Sequence, residues 1–124
     1  TIAKAVRAAG ASMRVGLGPD PMPEETLFVR SDHYRFVQEG VPSVFLVTGP
    51  GGAGKAAVDE FIGKHYHRVS DQTDLPFNWD AAAKFARINY LIAREVANAE
   101  AAPLWYANDF FGDTFAPGGS KASR

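Results

Sequence analysis

The chain has no cysteine among its 124 residues. Disulfides and thiolate metal sites are thereby excluded, although no compartment is, since exported proteins also occur without cysteine. An excess of one charge is missing as well: 13 basic against 14 acidic residues leave a formal net charge of -1. That balance gives no electrostatic reason to expect nucleic acid or an anionic membrane as a partner. No apolar run approaches the ~20 residues that a bilayer span requires. The sequence opens at Thr1, without methionine, in the helix-like run TIAKAVRAAGA. The opening reads as a piece of a longer polypeptide. What remains is 46% hydrophobic and 22% charged, the balance of one globular domain.

One stretch invites a nucleotide-binding reading. Gly49 to Lys55, GPGGAGK, has the G-x-x-x-x-G-K spacing of a phosphate-binding loop and follows an apolar run. Such a loop needs a Ser or Thr hydroxyl after its lysine to hold magnesium, and here that residue is Ala56. It also needs a later apolar strand ending in Asp, and none follows. Pro50 removes an N–H from the cradle. A flexible glycine-rich connection with a solvated lysine is the plainer reading, and a P-loop-like domain through Gly49–Lys55 stands as the alternative.

Residues 2–9 favour helix with a stop at Gly10. SMRVGLG (12–18) reads as a short strand, PDPMPEET (19–26) as a surface loop and LFVR (27–30) as extended. Ser31 reads as the N-cap of a helix over 32–39 ending at Gly40. VPSVFLVTG (41–49) is the best strand pattern, and its continuous apolarity predicts burial on both faces, as in a parallel sheet. A helix over 54–64 follows, then the polar run HYHRVSDQTDLP. Asn78 caps the longest helix, about 79–99, with the stripe Ala81, Phe85, Ile88, Ile92 and Val96. The tail is aromatic from Pro103 and disordered-looking over 116–124. Helices alternating with buried strands predict an α/β layered architecture.

The three histidines fall in two clusters, His33 in VRSDHYRF and His65 with His67 in HYHRVSDQTD. Histidines at i and i+2 share one side of a strand and chelate a metal only with further ligands. Asp32, Asp71 and Asp74 are the nearby acids. Surface histidines and a helix-start aspartate are the plain alternatives.

RSDHYRFVQEGVPSVFLVTG, followed by YHRVSDQTDLPFNWDAAAKFARINYLIA, resembles the C-terminal half of the di-zinc exopeptidases of metallopeptidase family twenty-eight. The resemblance runs from Arg30 to the end of the long helix. It implies the C-terminal part of a three-layer α/β/α domain with a mostly parallel central sheet. Residues 1–102 would be that incomplete domain, and residues 103–124 an extension like that of larger exported members. An exported location, periplasmic or extracellular, is implied in the same way.

The resemblance also implies roles. Two zinc ions would activate a water for hydrolysis of N-terminal peptide bonds. His67 falls on the family's last zinc-binding histidine. Tyr66 falls on the tyrosine that donates to the developing oxyanion. Arg30, Asp32, His33 and Val47 fall on the substrate side, and Asp71 on an acid that shapes the turn. The run VFLVTG would carry the pocket wall at its carboxyl end, and Gly49–Phe61 would be a variable loop before the zinc histidine. The family's other ligands and its general base are not among these residues. The chain alone is expected to be inert, with the upstream half of the polypeptide as its partner and a peptide as its substrate. A non-catalytic peptidase-like binding domain and glutaminyl cyclase chemistry are the remaining readings. SDH in place of the cyclases' DDH disfavours the latter.

Overall fold

A computed structural model describes residues 1–49 and 51–124. Pro50, read above as weakening the Gly-rich cradle, lies outside the described residues. The chain is helical: α1 (Ile2–Ser12), α2 (His33–Gln38), α3 (Gly54–Lys64), α4 (Trp79–Ala97) and α5 (Phe110–Phe115), with two single 3₁₀ turns at Pro23–Glu25 and Leu27–Val29.

The expected three-layer α/β/α architecture with a central parallel sheet is therefore corrected. Among the described residues the only β pairing is an isolated bridge between Tyr106 and Ala122. A strand persists only when a neighbour pairs its N–H and C=O groups. Residues 41–49 have the strand composition, but no described segment forms a ladder with them. Their alternation is still used. Val44 and Leu46 pack on the core, whereas Phe45 and Val47 are 40% and 36% exposed, so one face is covered rather than two. Residues 12–18 form no strand either, because Ser12 completes α1 and Met13 and Arg14 turn the chain. Residues 27–29 close a 3₁₀ turn instead of extending, with Val29 N–H donating to Thr26 O at 3.1 Å.

The core lies between the first and fourth helices. Ala5, Val6 and Ala9 of α1 meet Ile88 and Ile92 of α4. Small residues on α1 let the helices approach, and branched residues on α4 fill the gap. Asn78 starts α4 as its pattern predicts, its side chain accepting from Ala81 N–H at 3.0 Å. Ala81 itself is exposed, and Phe85 is half-buried.

Gly10 does not stop α1. It is buried, and a Cβ there would lie 3.2 Å from Val15 O and 3.3 Å from the Leu17 side chain. The helix closes one turn later, where Val15 N–H donates to Gly10 O and Arg14 N–H to Ala11 O, with Arg14 left-handed at φ 53°. That is a Schellman end with arginine where glycine is usual. The end of α2 follows the same scheme with Gly40 at φ 80°: Val41 N–H donates to Phe36 O and Gly40 N–H to Val37 O. At its start, Ser31 does not cap through its side chain; the hydroxyl donates to Leu27 O at 3.2 Å.

Residues 103–124 fold back onto the body. Trp105 Nε1 donates to Gly40 O at 2.7 Å. Asp109 caps α5, accepting from Phe111 and Gly112 N–H groups at 3.1 Å each. The stretch expected to be disordered is held too: Ala122 N–H donates to Trp105 O at 2.8 Å, and the Lys121 ammonium donates to the carbonyls of Gly112 and Ala116.

Candidate active-site residues

The turn after α3 carries Tyr66 and His67. The N–H groups of His65 and Tyr66 both donate to Phe61 O, at 2.8 and 2.9 Å, which ends the helix. His67 is left-handed at φ 57°, a conformation histidine tolerates better than most residues. Ser70 steadies the turn by donating from its hydroxyl to Lys64 O at 3.2 Å. With that proton committed, His65 Nδ1–H is the donor in its 3.1 Å contact with Ser70 Oγ. Tyr66 and His67 are exposed and stacked, ring centroids 3.9 Å apart and planes 20° apart. Phe61 backs the tyrosine at 6.1 Å. Asp71 N–H donates to Arg68 O at 3.0 Å, and its carboxylate faces solvent.

His33 opens α2 between two aromatic rings. Phe45 stacks on it at 5.0 Å and 12°, and Phe28 meets it edge-on at 4.7 Å and 62°. Its Nε2 is buried without a hydrogen-bond partner. Asp32, immediately before, is exposed and its carboxylate caps no N–H. Arg30 turns back on Glu25, donating to the Glu25 carbonyl at 3.0 Å and lying 3.5 Å from its carboxylate.

Val47 lines a groove of about 750 Å³ whose walls include Phe28, Phe45, Phe85, Ile88 and Leu17, with Lys84 and Asp20 as its charged residues. The rings that hold His33 therefore also wall the groove. No hydrogen bond or ring contact among the described residues joins the Tyr66–His67 turn to Arg30, Asp32, His33 or Val47. Phe28, Phe45 and Phe85 were not singled out as groove walls from the sequence. The available signals were read otherwise: Phe85 as part of the long helix's stripe, and Phe45 in a continuously apolar run buried on both faces of a sheet.

Nor do the described residues gather three His, Asp, Glu or Cys side chains that could hold a metal ion. A catalytic zinc takes about three protein ligands, so these residues by themselves do not fit one. At the glycine-rich loop, Lys55 ion-pairs with Asp59 one helical turn on. No described helix is long and apolar enough to cross a membrane.

Comparison with protein families gives the class first: a hydrolase of the peptidase type. The family model described as Peptidase family M28 matches residues 1–93, most of the chain, and the chain belongs to that family. No curated protein and no solved structure matches it.

Proposed function

We propose that this chain is the C-terminal part of a zinc-dependent aminopeptidase. His67 would be one metal ligand, Tyr66 the oxyanion donor, and Arg30, Asp32, His33 and Val47 the substrate side. The reading rests on family membership and on one geometric observation: Tyr66 and His67 stand stacked and exposed on a turn held by backbone hydrogen bonds. Both polar tips are thereby free to meet groups outside these residues. The ion would need further ligands and a general base from elsewhere in the polypeptide, since no cage is assembled here. No catalytic step is derived through it, and the 124-residue chain alone is inert. An exported location, periplasmic or extracellular, belongs to the same reading.

The phenol of Tyr66 would donate to the oxygen that gains charge as a peptide carbonyl is attacked. Arg30 would hold a substrate backbone oxygen only after leaving Glu25, an exposed pair whose loss costs little. Val47 and its neighbours would receive an apolar side chain.

The test uses the full-length polypeptide. His67→Ala is expected to lower zinc content and abolish release of N-terminal amino acids. Tyr66→Phe keeps the metal and lowers kcat by ~10²-fold or more. Full metal content and full activity in His67→Ala would end this reading.

A further inference from the structure

The C-terminal segment lies beyond the family match, yet it reaches the candidate substrate side. We propose that residues 103–124 position His33: Phe111 buttresses Phe28, and Phe28 holds the imidazole against Phe45. Phe111 is thus a positioning residue acting through another ring. Only the functional meaning of this arrangement rests on the substrate-side reading of His33 given above.

The observations form a chain of contacts. Phe111 lies 5.1 Å from Phe28, and it also borders Tyr34 at 6.1 Å and Trp105 at 6.4 Å. Its own place is set by the Asp109 cap and by the adjoining Gly112, whose missing side chain makes room for the Trp105 ring. Trp105 is tied in turn to Gly40, at the end of the helix that His33 begins. The segment therefore grips both ends of α2.

At His33 no hydrogen bond fixes Nε2. The ring is oriented by faces and edges alone, 4.7 Å from Phe28 and 5.0 Å from Phe45. Keeping an unpartnered ring nitrogen from water is unfavourable. The imidazole turns toward solvent once its packing relaxes. Taking away Phe111 removes the backing of Phe28, and the ring set opens at that edge.

The experiment is modification of the 124-residue chain by diethyl pyrocarbonate, read at each histidine by mass spectrometry. His67, exposed on its turn, is the internal reference. In the unaltered chain His33 reacts about tenfold or more slowly than His67, as a locally closed site does. Phe111→Ala removes that protection, while the far-ultraviolet circular dichroism and the reactivity of His67 stay as they were. Phe111→Tyr restores it. A structural lesion alone would also raise the reactivity of half-buried His65 and would change the dichroism. Should Phe111→Ala not fold, nuclear Overhauser contacts in the unaltered chain decide. Contacts linking Phe111 to Phe28 and Phe28 to the His33 ring support the proposal, and their absence overturns it. Equal reactivity of His33 and His67 in the unaltered chain, or protection that survives in folded Phe111→Ala, also overturns it. The substrate-side reading fails separately: His33→Gln in the full-length enzyme would leave the KM for peptide unchanged, while His33 of the unaltered chain proved protected as proposed.

Discussion

The indole of Trp105 donates to the carbonyl of Gly40 at 2.7 Å, joining positions 65 residues apart. The close approach of Gly112 to the same ring makes this contact the hub of the C-terminal clasp.

Gly112→Ala tests the hub. A Cβ at Gly112 would sit 2.6 Å from Trp105 Cβ and 2.8 Å from its Cγ. Overpacking of that kind costs about 1–3 kcal/mol. The variant is expected to lower the urea midpoint and to shift Trp105 emission to the red. Gly118→Ala, where a Cβ meets nothing within 4 Å, should leave both unchanged. Equal effects from the two would show that the clasp is loose.

Arg14 holds a left-handed conformation at φ 53° to close α1. An L-residue there costs about 1–2 kcal/mol that glycine largely avoids. Arg14→Gly is expected to stabilise the chain by about 0.5–1 kcal/mol in thermal unfolding, the unfolded-state entropy of glycine taking back the rest. A lower Tm would mean that the arginine side chain contributes contacts outweighing its backbone strain.

Ile92 is 5% exposed in the seam between α1 and α4, whereas Phe85 is a half-buried groove wall. Ile92→Ala should cost about 2–5 kcal/mol. The larger phenylalanine should lose less on truncation, because water already reaches the groove. Paired denaturation curves check the order. A greater loss at Phe85 would place it in the core after all.

The glycine-rich loop yields a negative expectation. Lys55 is engaged by Asp59, and Ala56 offers no hydroxyl for magnesium. Calorimetry with magnesium nucleotide should register no heat. Micromolar binding abolished by Lys55→Ala would restore the nucleotide reading.

Local signals were legible in the sequence because their physics is local. The range 54–64 follows from composition alone. The start of α4 follows from Asn78, whose side chain reaches an N–H three residues on. Gly10 misled for the opposite reason: its freedom serves a close approach by Val15 and Leu17, which only the folded chain brings near. The run 41–49 shows the same limit. β-branched composition states that a segment suits a pleated, covered surface, but not whether a partner will pair it. At the candidate site, Tyr66 and His67 were readable as a motif. Their stacking was not, because it depends on the left-handed turn at His67. The ring set around His33 was hidden because Phe28, Phe45 and Phe111 come from three separate stretches of chain.

The pairing of α1 with α4 has a consequence during synthesis. Roughly 65 residues separate Ser12 from Trp79. At a translation speed of about 5–20 residues per second, α1 emerges some 3–13 s before its partner. Throughout that interval the apolar stripe of Ala5, Val6 and Ala9 lacks the Ile88 and Ile92 side chains that pack on it in the folded chain. A nascent helix left waiting is a natural client for a holding chaperone, and a slower ribosome lengthens the wait.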